Sequence, residues 1–256
     1  MDWTDVERER KGARFGHRVL AYESLPSTNA LAAQFIKDGD AADGLVIVAD
    51  EQSAGRGTGS RTWHSPPGGL WFSLIIDRAP AGRPMTFWPA LAIHRVLGER
   101  GLDLHLKWPN DVLVGKRKIA GVLIERLQSP AGQEFFVVGI GINLQNSRFP
   151  DDVADKAVTW PDLEAAPPQP AKVLVQVLDA LENLTSATDL RHRFLTAWRM
   201  QGAMIRARRP SGEVQARVRG LSEEGFLLVT LLDGTEETWL SGSAVAIAPD
   251  YSPPSA

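Results

Sequence analysis

Lys107-Trp108-Pro109-Asn110-Asp111 and, a few residues on, Arg117-Lys118-Ile119-Ala120-Gly121-Val122-Leu123-Ile124-Glu125 form the stretch on which the fold turns. Apolar residues mark three strands here, at Leu104 to Trp108, Val112 to Val114 and Ile119 to Glu125. Gly115-Lys116-Arg117 joins the last two as a hairpin. Lys107, Asp111 and Lys118 fall within twelve positions of this small sheet. A lysine is a compact positive charge suited to phosphate or carboxylate, and a nearby aspartate can hold Mg²⁺ or fix a lysine. A plain exposed hairpin would explain the charges equally well. It explains Trp108 less well, because an exposed tryptophan is unfavourable in a soluble protein.

Upstream lies Glu51-Gln52-Ser53-Ala54-Gly55-Arg56-Gly57-Thr58-Gly59-Ser60-Arg61-Thr62-Trp63, with three glycines and two arginines between Gly55 and Trp63. Glycine lets backbone N–H groups approach an anion, and arginine offers a forked donor to phosphate or carboxylate. A surface turn with two solvated arginines is the plainer account. The flanking strands, and Trp63 as a platform for a base, favour a site. The spacing is neither that of a Walker A loop nor that of a dinucleotide-binding fingerprint. Downstream, Gly139-Ile140-Gly141-Ile142-Asn143 ends a strand with an amide that could pair with an adenine edge. Together these segments suggest a site that brings one negative group against another, as in activation of a carboxylate by ATP.

Outward from the centre, Ser27 or Thr28 caps a helix over Ala30 to Lys37, and Gly39 ends it. Leu45 to Ala49, Leu70 to Ile76 and Phe135 to Ile142 read as buried strands, and Thr86 to Arg100 as a helix. Pro161 to Pro170 reads as an exposed connection, followed by amphipathic helices through Leu174 to Leu184 and Leu190 to Trp198. From about residue 202 the pattern is short strands only: Met204–Arg208, Val214–Gly220, Phe226–Thr230, Glu236–Leu240 and Ala244–Ala248, which suggest a small barrel. The run Arg206 to Arg209 reads as a solvated strand edge, and Tyr251 to Ala256 as a disordered tail. His105 alternates with Leu104 and Leu106 and should point away from the core.

Composition narrows the classes. The chain has 256 residues, 43% apolar, with a net charge of −3 that argues against a general nucleic-acid binder. It has no cysteine, hence no thiolate metal site and no cysteine nucleophile. Its five histidines form no ligand-spaced cluster. The N-terminus lacks the apolar core of a secretory signal, and no run approaches the roughly 18 apolar residues of a membrane span. A cytoplasmic protein is expected.

With its motifs in this order, the chain resembles the biotin–protein ligases, in the form that lacks an N-terminal DNA-binding domain. The resemblance rests on Ser27-Thr28-Asn29, on Gln52 with the loop Gly55 to Trp63, on Lys107 to Asp111, on Lys118-x-Ala120-Gly121-x-Leu123, and on Gly139-x-Gly141-x-Asn143. It spans about residues 18 to 248. It implies an α+β fold: a class II synthetase-like biotin–lipoate ligase catalytic domain, a mixed sheet flanked by helices, over residues 1–201, then a small SH3-like β-barrel over residues 202–256. It implies formation of biotinyl-5′-AMP from biotin and Mg²⁺·ATP, then transfer of biotin to a lysine of a biotin carboxyl carrier domain.

By position, Ser27, Thr28, Gln52, Gly55, Gly57, Gly121 and Gly139 would surround biotin. Arg56 and Lys118 would contact its carboxylate and the α-phosphate as the catalytic pair. Arg61, Trp63, Lys107, Asp111 and Asn143 would serve ATP, Asp111 also the Mg²⁺. Thr58 stands where the family's loop carries an arginine, which predicts readier release of the adenylate. The resemblance implies neither a nucleic-acid nor a membrane partner and leaves a homodimer open. A lipoate–protein ligase of the same fold is the nearest alternative, and a non-catalytic biotin-binding module is another. A DNA-binding repressor would need about 60 residues before the catalytic domain; only about 17 precede the first strand.

Overall fold

The computed structural model describes residues 2–59, 61–145, 149–160, 168–209, 212–240 and 246–247. Seven strands, β1 (Arg18–Leu25), β2 (Leu45–Gln52), β3 (Leu70–Ile76), β4 (Leu104–Lys107), β5 (Asp111–Val114), β6 (Arg117–Gln128) and β7 (Glu134–Ile142), form one sheet in the order β1-β2-β3-β7-β6-β5-β4. The β1–β2 pair is parallel and the others are antiparallel. Every residue of β3 is buried, as its unbroken apolar run demands of a central strand.

Helix α2 (Thr28–Asp38) lies on one face, where Ala32 and Ile36 pack against Leu45, Ile47, Ile75 and Val137. On the other face, α3 (Phe87–Gly98), α5 (Pro170–Leu184) and α6 (Leu190–Ala197) enclose the larger core with Val46, Val48, Phe72 and Leu74. Ser27 caps α2 with its side chain, and Gly39 closes it at φ 82°. No helix among the described residues is long and apolar enough to cross a membrane.

Sequence patterning missed α1 (Trp3–Glu9). Its run is polar, and only Val6 is buried, so no apolar period announces it; Asp2 and Asp5 hold its start with a reciprocal capping box. The buried Arg10 then ties this segment to α5 through Asp179 and Glu182. A short α4 (Asp151–Ala154) follows β7.

The remaining strands, β8 (Met204–Arg209), β9 (Gly212–Leu221), β10 (Leu227–Leu231), β11 (Glu236–Trp239) and β12 (Ala246–Ile247), make a five-stranded antiparallel sheet in the order β11-β10-β9-β8-β12. The Arg206 to Arg209 run is therefore not on an edge: Ala207 and Arg208 pair with Ile247 and Ala246 on the side away from β9. The expected tail, residues 161–167 of the expected connection and most of the last expected strand lie outside the described residues. The sheet docks on the larger unit through its β9–β10 turn. Arg191 of α6 donates to the carbonyls of Leu221 (2.6 Å) and Ser222 (2.8 Å), and the buried Trp108 indole donates to Gly225 O (2.8 Å). Trp108 is thus buried against the second sheet. His105 departs from expectation: it is 5% exposed, so both faces of β4 are covered.

Candidate active site

A cavity of about 210 Å³ opens on the α2 face of the sheet, beside the N-terminus of α2. Three chain segments wall it: the first turn of α2 with Gln52, the loop Arg56 to Trp63, and the β4–β6 hairpins, while Gly139, Ile140 and Gly141 of β7 contribute to its floor. Ser27, Thr28, Gln52, Arg56, Gly57, Arg61, Trp63, Lys107, Asp111, Lys118, Gly121 and Gly139 all line it. Gly55 and Asn143 do not. A Cβ on Gly55 would stand 2.3 Å from Trp63 O, so this glycine is required for closing the loop on itself.

The floor is bare because side chains that belong to the site occupy the space above it. A Cβ on Gly139 would sit 2.0 Å from Asn29 Oδ1, one on Gly141 2.4 Å from Trp63 Nε1, and one on Gly121 2.7 Å from Lys118 Nζ. Strand pairing sets Gly121 opposite Gly141 and Leu123 opposite Gly139, so the three glycines adjoin.

Lys118 reaches the cavity through an irregularity. The β5–β6 register shifts between Val112 and Leu113, which face Ala120 and Lys118 respectively. Ile119 is thus the extra residue of a bulge, and the bulge turns Lys118 to the face of Gly121 instead of the core face of Ala120. The Lys118 backbone is held on its outer side: its N–H donates to Lys156 O (2.7 Å), and its carbonyl accepts from Val158 N (3.0 Å) and from Asn143 Nδ2 (3.1 Å). Asn143 therefore sits behind the wall, 2% exposed, with Oδ1 buried and unpartnered among the described residues.

The cavity is strongly cationic. Arg56, Arg61, Lys107 and Lys118 line it against a single carboxylate, Asp111. Lys118 Nζ lies 2.5 Å from Asp111 Oδ1 and 4.6 Å above the centre of the Trp63 ring. Burial holds the Lys107 ammonium below the ordinary lysine range; Asp111 opposes this, while Lys118 and Arg61 push the same way as burial. Arg56 pairs with Glu125 at 2.9 Å. No group of three or more His, Cys, Asp or Glu gathers among the described residues. A cage built by protein alone is absent among them, but one carboxylate suits Mg²⁺ that arrives on phosphates.

The other end is neutral and polar. Gln52 Oε1 accepts from Thr28 N (2.8 Å), and Gln52 Nε2 donates to Ser65 Oγ (2.7 Å). Ser73 Oγ hydrogen-bonds Thr28 Oγ1 (2.8 Å) and Asn29 Oδ1 (2.6 Å). Asn29 Nδ2 donates to Glu125 Oε2 (2.8 Å). Asn110 Nδ2 donates to Val122 O and lies 3.5 Å from Thr58 Oγ1, across the gap between loop and hairpin. Sequence reasoning assigned no role to Asn29, Ser65, Ser73, Asn110 or Glu125. Two signals were available: Ser73 is the lone hydroxyl in an apolar strand, and Glu125 shares the strand face of Gly121 and Leu123 by period two.

Residues 21–143 match the Biotin/lipoate A/B protein ligase family, and residues 202–245 match the Biotin protein ligase C terminal domain. The chain is 30% identical over 241 residues to the bifunctional ligase/repressor BirA of Bacillus subtilis, spanning 88% of this chain and 73% of that protein. It is 29% identical over 248 residues to the biotin–[acetyl-CoA-carboxylase] ligase of Mycobacterium tuberculosis, spanning 89% of each. Among solved structures, the biotin protein ligase from Aquifex aeolicus in complex with biotin and ATP superposes with a TM-score of 0.75 at 25% identity, covering 90% of this chain and 98% of that one. The matches run through both sheets and through every segment that walls the cavity, and this chain belongs to the biotin/lipoate A/B protein ligase family.

Proposed function

We propose that this protein is an ATP-dependent biotin–protein ligase that makes biotinyl-5′-AMP and passes biotin to a lysine of a biotin carboxyl carrier domain. The observation that carries the reading is one cavity lined by four cationic side chains and one carboxylate, in a chain whose net charge is −3. A biotin carboxylate and a triphosphate repel, and fixed positive charge in a water-poor site offsets that repulsion as charge builds up in the transition state. A carboxylate oxygen attacks the α-phosphorus, the α–β anhydride bond breaks, and pyrophosphate leaves. The acceptor amine then attacks the acyl carbon, and AMP leaves with the bonding pair.

In this reading Arg56 and Lys118 sit between the two anions, and Lys107 and Arg61 hold the outer phosphates. Asp111 would hold Mg²⁺, which when bound offsets phosphate charge. Thr28, Gln52 and Ser27 form the polar end that suits the ureido ring of biotin. No enzyme nucleophile is required.

ATP–pyrophosphate exchange measured in parallel with biotin, lipoate and octanoate tests the reading. Exchange with biotin alone is expected; exchange with lipoate or octanoate instead would transfer the protein to that chemistry, and none with any acid would leave a binding module. In the same assay Lys118→Ala should lose on the order of 10²–10³-fold, the cost of removing one charge-stabilising donor.

A further inference from the structure

Arg56 comes from a loop, and its side chain is half exposed, so the backbone alone does not fix the guanidinium. Its anchor is Glu125 on β6, paired there with Val137 of β7, and both carboxylate oxygens are committed. Oε1 takes Arg56 Nη2 at 2.9 Å, and Oε2 takes Asn29 Nδ2 at 2.8 Å. Asn29 is 4% exposed; its Oδ1 accepts from Ser73 at 2.6 Å, and its carboxamide fills the space that the missing Cβ of Gly139 leaves free. A continuous chain of contacts therefore runs from the neutral end of the cavity, through Asn29 and Glu125, to Arg56 at its cationic end.

We propose that Glu125 is a positioning residue for Arg56: it turns the guanidinium toward the reacting anions. Arginine has five N–H donors and this pair uses only part of them, so the remaining donors stay available to a carboxylate or phosphate. The inference deepens the ligase reading and rests on it for the identity of the anions. Glutamine at position 125 keeps the shape but cannot satisfy both neighbours. Its one carbonyl oxygen can accept from Asn29 or from Arg56, and its amide then points N–H groups at the other donor.

The test uses the full chain with Glu125→Gln, Arg56→Ala and the double variant, each first shown to melt cooperatively. In biotin-dependent pyrophosphate exchange, Glu125→Gln should lose about tenfold in kcat/KM, an effect expected when one catalytic donor is misplaced. The double variant should match Arg56→Ala within about twofold, as expected for residues acting as one unit. Losses that multiply, or an unchanged Glu125→Gln, would overturn the proposal. Affinity for biotinamide, which lacks the carboxylate, should be unchanged in Glu125→Gln; a loss as large as for biotin would place the effect at the Asn29 end and refute positioning of Arg56. Trypsin cleavage after Arg56 in the ligand-free protein supplies a readout independent of activity. It should be several-fold faster in Glu125→Gln, and equal rates would count against the anchor even if the wild-type chain showed no exchange with biotin and the ligase reading fell.

Discussion

Lys107 shows how a single side chain joins fold and chemistry. Its ammonium is held below the ordinary lysine value by burial, and Lys118 and Arg61 add to the effect while Asp111 resists it. As pH rises through that lowered value, the folded protein loses the charge before a free lysine would. Phosphate binding favours the charged form and is weakened by this loss, so KM for ATP should climb on the alkaline side earlier than an unperturbed lysine predicts. Lys107→Arg, which stays charged throughout, should flatten the climb in a pH series of steady-state rates; an identical series would remove Lys107 from the phosphates. At this scale the sequence was informative about identity and less so about placement. Lys107, Asp111, Lys118, Arg56 and Trp63 meet at one cavity as their residue types suggested. The direction of Lys118 depends on the bulge at Ile119, which no period-two pattern signals. Asn143 stands behind the wall because its amide is spent on the Lys118 carbonyl. Thr58, where an arginine was expected, faces Asn110. Thr58→Arg should slow adenylate release in a rapid-dilution assay, and an unchanged release rate would refute a retention role for this position.

Among the elements, the β9–β10 turn matters most, since it connects the second sheet to the hairpin that carries Lys107. Gly225 has φ 82°, and a Cβ there would stand 2.2 Å from Pro84 Cγ. Gly225→Ala therefore combines a left-handed backbone penalty with a clash and should cost about 2–4 kcal/mol in denaturant unfolding. Trp108→Phe keeps most of the packing but strands the Gly225 carbonyl, and about 1–3 kcal/mol is expected. If both variants unfold like the wild type, the turn is not docked there. Strands and long helices were readable because burial writes its period into the chain: β3 is apolar throughout, and α5 buries one stripe from Ala171 to Leu184. Helix α1 was not, because a seven-residue helix with one buried side chain is specified by its cap and not by periodicity.

The whole molecule should respond to acid through two histidines. Burial holds His94 and His105 below the ordinary histidine value, and the nearby Arg199 pushes both the same way; Asp103 opposes this at His105, and Leu104 O opposes it at His94. The unfolded chain therefore binds these protons first, and stability present above about pH 6.5 is lost as pH falls through the lowered folded values. Carboxylates such as Asp43 and Asp103, whose values lie below the usual aspartate range, contribute only at more acidic pH. Urea midpoints should fall between pH 7.5 and 5, and the fall should shrink in His94→Gln; a pH-independent midpoint would exclude the effect. Both His94 and His105 escaped a sequence reading, which treated His105 as outward, because only the assembled structure covers both faces of β4. The strand order carries a consequence for biosynthesis. β7 is the last of the seven strands to be made, yet it lies between β3 and β6 and pairs with both. A chain that ends before Glu134 holds two half-sheets, with β3 and β6 as open edges, and keeps Arg56 and Thr28 with one half and Lys118 and Asp111 with the other. The cavity then forms only when β7 joins the two halves, just past the middle of the chain, and the open edges of the halves are exposed to aggregation until it does.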